Sequence, residues 1–213
     1  MPGHEIEYIQ PGEIEKRSFE IIEQELREQG ITLPKEQAAV TKRVIHTSAD
    51  FDYAVTMTYS KGAVEAAKKL ILDGADIVTD TRMALSGINK RILESYGGQA
   101  HCFMADADVR KEAEKRQVTR AAVSMERAMQ LPGPVIVAVG NAPTALLSLY
   151  DMIQKKIWKP AFIIGVPVGF VNVVTAKELI LKSDVPHIIN RGRKGGSNVA
   201  AAIVNAILYE LRR

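Results

Sequence analysis

The chain has 213 residues, enough for one good-sized domain, and its 46% hydrophobic and 25% charged residues are an ordinary globular balance. A net charge of +3, from 28 Lys and Arg against 25 Asp and Glu, is too mild for a nucleic-acid binder, and there is no long basic run or aromatic-studded basic strand. No apolar run reaches the roughly 18 residues of a membrane helix, the acidic start lacks a signal-peptide core, and the single cysteine, Cys102, rules out an internal disulfide framework and fits a reducing, cytoplasmic compartment.

The first third reads as helical. Glu13 to Gln29 sets Ile14, Phe19, Ile21, Ile22 and Leu26 broadly on one side, and Gly30 supplies a stop. A second helix is predicted from Lys35, after Pro34, to about Ile45, while Phe51 to Tyr59 reads as either a short strand or irregular. Lys61 to Leu72 is a predicted helix closed by Asp73-Gly74. Strand and helix then alternate: Asp76–Asp80 with Met83–Tyr96, Ala100–Ala105 with Thr119–Leu131, and Val135–Val139 with Thr144–Lys155. Ala161–Val166 with Val174–Leu181, and His187–Asn190 with Ser197–Leu211, complete the series. Short, continuous apolar strands alternating with helices predict a mainly parallel sheet covered on both faces. With right-handed crossovers this is a doubly wound, Rossmann-like α/β fold with extra N-terminal helices, a single domain over residues 1–213 whose first 12 residues are a loose tail.

In such sheets ligands bind outside the carboxyl ends of the strands. The junctions that fall there are Asp80-Thr81-Arg82-Met83, Asp106-Ala107-Asp108, Gly140-Asn141-Ala142-Pro143-Thr144, Pro167 to Asn172, and Arg191-Gly192-Arg193-Lys194-Gly195-Gly196-Ser197-Asn198. Helix starts present unpaired N–H groups to anions, and glycines let a ligand approach the backbone. Asn141 is the expected N-cap of its helix and Pro143 suits the first turn, although a well-capped turn with no ligand reads the same way. The last junction crowds three cations beside two glycines and an expected Ser197 N-cap, an arrangement suited to something negative, with a solvated basic loop as its alternative. Neither G-x-x-x-x-G-K-[ST] nor a strand-linked G-x-G-x-x-G is present, so the edge suits several carboxylates on a wide ligand better than one di- or triphosphate.

Of four histidines, His4 lies in the tail, His187 starts a strand, and His101 beside Cys102 reads as a satisfied core residue. His46 differs: it ends a helix in "RVIHTSADFDY", where Thr47, Ser48 and Asp50 are expected to orient the ring for proton transfer. Cys102 reads as buried and inert, no G-x-S-x-G elbow is present, and the Cys and His positions lack zinc-site spacing.

Taken together and in order, "VIHTSADFDYA", "TDTRM", "AVGNAPTALLSL", "IGVPVGFVNVVTAKE" and "RGRKGGSNVAAAIVNAIL" resemble the precorrin-8X (cobalt-precorrin-8) methylmutase family over nearly the whole chain. The resemblance implies an α/β homodimer with its active site near the subunit interface. It also implies an intramolecular methyl shift from carbon 11 to carbon 12 of a corrinoid carrying several carboxylates, giving hydrogenobyrinate or cobyrinate. No cofactor or protein-bound metal is implied; cobalt, where present, arrives with the substrate. By the same resemblance His46 is the catalytic proton donor or hydrogen-bond partner of the macrocycle. Arg82, Arg120, Arg191, Arg193 and Lys194 are the expected carboxylate partners, with Ser18, Thr81, Asn141 and Thr144 as further polar contacts. Lys177, within "TAKE", reads as a helix-surface lysine. A corrinoid-binding carrier without catalysis is the rival reading. Without the resemblance, the residues alone suggest an α/β enzyme acting on a phosphorylated or polycarboxylate metabolite.

Overall fold

Four short apolar runs make the centre of the sheet because their side chains alternate between two packed faces. The computed structural model describes residues 7–212; residues 1–6, with His4 and the start of the expected tail, lie outside the described residues. Glu7 to Gly12 join no helix or strand, although the Glu7 carboxylate accepts a bond from Arg17 Nε at 2.9 Å.

In chain order the elements are α1 (Ile14–Glu28), α2 (Lys35–Ser48), α3 (Tyr53–Thr56), β1 (Met57–Tyr59), α4 (Ala63–Leu72), β2 (Asp76–Thr79), α5 (Arg82–Gly87), α6 (Lys90–Ser95) and β3 (Ala100–His101). After a 3₁₀ turn (Phe103–Ala105) follow α7 (Ala107–Arg116), α8 (Arg120–Ala128), β4 (Val135–Val139), α9 (Pro143–Gln154), β5 (Phe162–Gly165), α10 (Val173–Leu181), β6 (His187–Asn190) and α11 (Ser197–Glu210).

The sheet order is β1-β6-β5-β4-β2-β3. All neighbours are parallel except β1, which runs antiparallel along β6 as the edge strand. From β2 the chain steps outward to β3, then crosses back to β4 on the other side of β2. The topological switch point, where α/β sheets open a crevice, therefore lies between β2 and β4.

Strand side chains divide by parity. Ile77, Ile136, Ala138, Phe162, Ile164 and Ile188 face the layer that holds α2, α4, α6 and α11. Val78, Val135, Val137, Val139, Ile163 and Ile189 face α8, α9 and α10. Helix α11, nearly all apolar, buries Val199 to Val204 and Ala206 to Leu208 between the sheet and α2. That burial places the start of α11 firmly at the carboxyl edge of the sheet.

The expected fold class holds, with local corrections. The helix predicted over Met83–Tyr96 is two helices: Ile88 is extended, and Asn205 on α11 bonds the Gly87 carbonyl and the Asn89 N–H across the break, each at 2.8 Å. The strand predicted over Ala100–Ala105 shrinks to two residues before the 3₁₀ turn. Helix α7 carries no sequence prediction, because its stretch is polar around almost its whole circumference and buries only Val109 and Ala113. The ambiguous stretch Phe51–Tyr59 resolves into α3 followed by β1.

Candidate active site

The five carboxyl-end junctions do meet at one edge, and Asp80 is the residue that ties the first, after β2, to the third, after β4. Its side chain is 1% exposed at the end of β2. Oδ1 accepts the Gly140 N–H at 2.8 Å, and Oδ2 accepts those of Asn141 and Ala142 at 2.8 and 2.6 Å. The switch-point crevice thus holds an anion belonging to the protein itself. Burial pushes the Asp80 carboxyl above its ordinary pKa, while the backbone donors pull the other way. Two expectations change here. Asn141 is not the N-cap of α9: Ala142 takes that position without a side-chain bond, with Pro143 in the first turn as expected. The N–H groups of the "GNAPT" turn are also not an open cradle, since Asp80 occupies three of them.

Thr81, next to Asp80, caps α5 by accepting the Ala84 N–H at 3.1 Å, and its hydroxyl shares a 2.7 Å hydrogen bond with Ser197 Oγ. Ser197 is therefore the first residue of α11 rather than its cap, which is Gly196. A Cβ on Gly140 would come within 2.7 Å of Ser197 Cα, so the absence of a side chain there lets the "GNAPT" turn and the start of α11 touch.

Loop 191–196 is held by main-chain bonds from every side. The Arg191 N–H donates to Thr56 O at 2.9 Å and the Gly196 N–H to Val166 O at 2.9 Å; Gly169 N–H donates to Arg193 O at 3.1 Å. Buried Asn190 donates through Nδ2 to Lys194 O at 2.8 Å and accepts at Oδ1 from Thr56 at 2.7 Å. Lys177 corrects its sequence reading: it is fully buried, not a surface lysine, and its Nζ donates to Gly192 O and Lys194 O, both at 2.8 Å. Desolvation lowers its pKa to about 8.

The loop cations differ in what they hold. Arg191 forks onto Glu178, Nε to Oε1 at 3.0 Å and the terminal nitrogen to Oε2 at 2.8 Å. Lys194 Nζ lies 2.6 Å from both Asp50 and Asp52, which raises its pKa and fastens the segment after α2 to the same edge. Arg193 has no carboxylate partner among the described residues; its guanidinium sits 5.3 Å from the centroid of the Phe170 ring, which is 81% exposed. Arg82 likewise stands exposed at the start of α5 with no ion pair among the described residues. Phe170, under Arg193, is exposed, as are the apolar side chains of Val171 next to it, Met83 next to Arg82, and Val55 in α3. Arg120, at the start of α8, leans on the Met104 carbonyl at 3.4 Å just beyond β3. Thr144 is half-buried in the first turn of α9, and Asn141 is exposed beside it.

His46 is exposed in the last turn of α2. Its expected partners are engaged elsewhere: Thr47 and Ser48 bond the carbonyls of Arg43 and Val44, and Asp50 takes Lys194 and the Asp52 N–H. Phe19 of α1 orients the ring instead, stacked at 5.2 Å and 22°. No hydrogen bond reaches the imidazole from the described residues, so the ring is positioned by its face. Ser18 precedes Phe19, with its hydroxyl on the Ile14 carbonyl at 2.8 Å.

The comparisons with known proteins bear on this edge. The family model for precorrin-8X methylmutase matches residues 13–210. The cobalt-precorrin-8 methylmutase of Priestia megaterium is 43% identical over 93% of this chain and 88% of its own length. That of Salmonella typhimurium is also 43% identical, over 96% and 98%. This chain belongs to the precorrin-8X methylmutase family. The precorrin-8X methylmutase of Pseudomonas aeruginosa is 39% identical over 96% of this chain and 99% of its own. The crystal structure of precorrin-8X methyl mutase from Thermus thermophilus superposes with a TM-score of 0.84 at 37% identity, covering 94% of this chain and 98% of that one. Methylmutases are isomerases, and this member of the family is an enzyme of that class.

Two hollows of this methylmutase lie beside the edge. One of about 580 Å³ reaches the edge only through Arg120. A groove of about 840 Å³ between α1, α2 and the end of α11 reaches it only through Phe19, which carries His46. The two other histidines among the described residues lie in strands, His101 in β3 and His187 in β6. His187 is buried, with Nδ1 on Val185 O at 2.8 Å. His101 is not the satisfied core residue expected: its Nε2 lies 3.3 Å from Asp76 without a hydrogen-bond geometry. Cys102 is half-buried rather than enclosed. Among the described residues no cluster of His, Cys, Asp or Glu could hold a metal ion, and no helix is long and apolar enough to cross a membrane.

Proposed function

We propose that the enzyme rearranges precorrin-8X or its cobalt form, moving one methyl group from carbon 11 to carbon 12 of the same ring. One carbon–carbon bond breaks and another forms within one molecule, so no methyl donor or redox partner enters. Cobalt, when present, is part of the substrate. The observation that carries this reading is the composition of the carboxyl edge. Exposed Arg82 and Arg193, neither with a carboxylate partner among the described residues, stand beside exposed apolar side chains on the surface that Lys194 fastens to the segment after α2. A corrinoid presents that pairing, an apolar ring with carboxylates around its rim. In this reading Arg82, Arg193 and Arg120 take the carboxylates. Arg191 and Lys194 support them through their acidic partners, and Thr81, Asn141, Thr144 and Ser18 line the approach. His46, stacked on Phe19 and hydrogen-bonded to none of the described residues, donates a proton or hydrogen bond to the macrocycle and so selects the tautomer in which the methyl can migrate. Binding that forces the ring into the reactive arrangement supplies the rest of the acceleration. Phe170, Val171 and Val55 lie open on this chain, which fits a homodimer whose second subunit helps to enclose the macrocycle.

The test is conversion of precorrin-8X and cobalt-precorrin-8 followed by visible absorption, with wild type and His46→Ala. The expected outcome is product formation by wild type and turnover slowed by about 100-fold or more, with binding retained, in His46→Ala. Equal rates would remove His46 from the chemistry, and tight binding without turnover by wild type on either substrate would point to a carrier.

A further inference from the structure

A lysine inside a protein is costly: moving an ammonium out of water is unfavourable by several kcal/mol unless hydrogen bonds or a counter-ion compensate. Lys177 is fully buried and forms no ion pair among the described residues. A methionine of similar length would fill the same space in α10 at no such cost. What lysine adds is donors, and both of its observed bonds go to one place.

The carbonyls of loop 191–196 show why. Arg191 O accepts from Asn190 at 3.2 Å, and Arg193 O from the Gly169 N–H at 3.1 Å. Gly192 O accepts from Lys177, and Lys194 O from both Lys177 and Asn190, each at 2.8 Å. Every carbonyl from 191 to 194 is therefore tied down, and Lys177 is the side chain that reaches Gly192 and Lys194 at once. Between those two points stands Arg193, the loop cation with no carboxylate partner among the described residues. Gly192 has φ +75°, and a Cβ on Gly195 would lie 2.0 Å from Val166 O, so the loop follows a path that a free chain would leave. The two points of that path on either side of Arg193 are pinned by one ammonium.

We propose that Lys177 is a positioning residue of the methylmutase site. Its buried ammonium clamps the Gly192 and Lys194 carbonyls so that loop 191–196 is pre-shaped to present Arg193 to a substrate carboxylate. This rests on the corrinoid reading of the site. Lys177 itself touches no substrate; it acts through the loop, and pre-shaping lowers the ordering cost that binding would otherwise carry.

The experiment compares wild type and Lys177→Met in two assays. In the first, intact folded protein is exposed to trypsin, which cuts after Arg191, Arg193 and Lys194 only if the loop leaves its bonded path. In the second, KM and kcat are measured on precorrin-8X or its cobalt form. The proposal expects Lys177→Met to unfold cooperatively, to be cut in the loop about tenfold faster, and to show a KM raised about tenfold with kcat within about threefold of wild type, as the loss of two charge-assisted bonds implies. Unchanged cleavage and unchanged KM would overturn it. So would a fall in kcat and melting temperature at constant KM, the mark of a purely structural lysine. If Lys177→Met does not fold, Lys177→Gln is measured the same way. Rapid cutting of the wild-type loop at these three residues would also overturn the clamp. Absence of turnover by wild type would instead defeat the corrinoid reading, leaving the trypsin assay to decide the loop.

Discussion

At Asp80 a single carboxylate satisfies three N–H groups of the turn after β4, sixty residues further along the chain, with no ion pair among the described residues. Lys177 does the reverse for two carbonyls of the loop after β6. Neither partnership could be seen in the sequence. Asp80 was visible as a residue at a strand end, but which backbone it would meet depends on β4 lying beside β2. Lys177 is separated from its acceptors by the turn of α10 into β6, and an isolated lysine in a helix is ordinarily solvated. The roles of Thr81 and Ser197 were likewise mixed, because their hydroxyls bond each other across the crevice. Replacing Asp80 by Asn leaves one oxygen to serve donors on two sides and turns an amide N–H toward the others. The expected loss is about 3 kcal/mol of stability, read from urea denaturation, with the melting transition still cooperative.

At the level of elements, strands β2, β4, β5 and β6 and helices α1, α2, α4, α8, α9, α10 and α11 were legible within a few residues. Their apolar runs are continuous or regularly spaced and end in turn residues. What failed was governed by contacts from elsewhere. The break between α5 and α6 is fastened by Asn205, more than a hundred residues away, and α7 is too polar to announce a buried face. The orientation of His46 was misread for the same reason, since its stacking partner Phe19 comes from another helix. Contact between the turn after β4 and the start of α11 is the junction on which the site depends. Gly140→Ala places a methyl 2.7 Å from Ser197 Cα and 2.8 Å from Gly196 O, both backbone atoms that cannot swing aside. The expected cost is about 1–3 kcal/mol, seen as a melting temperature lowered by several degrees, together with a raised KM because the Thr81–Ser197 contact parts.

For the whole molecule, the doubly wound plan and the placement of all five junctions on one edge were readable, because alternating strands and helices leave few topologies. Which apolar side chains stand open near that edge was not, since that depends on surfaces only a folded chain presents. Phe170 and Val171 are 81% and 78% exposed, and the Arg193 guanidinium sits over the Phe170 ring. If they meet a second subunit, Phe170→Asp introduces a charge into an apolar contact. The expected outcome is a shift from dimer to monomer in light scattering coupled to gel filtration, with activity falling alongside. A single species of unchanged mass would separate these side chains from assembly. The self-filled crevice at the switch point has a consequence of its own. Open α/β sheets commonly receive phosphate there, and a cell offers nucleotides and sugar phosphates in abundance. With Asp80 seated on the N–H groups of Gly140, Asn141 and Ala142, the donors that a phosphate would need at that point are already taken.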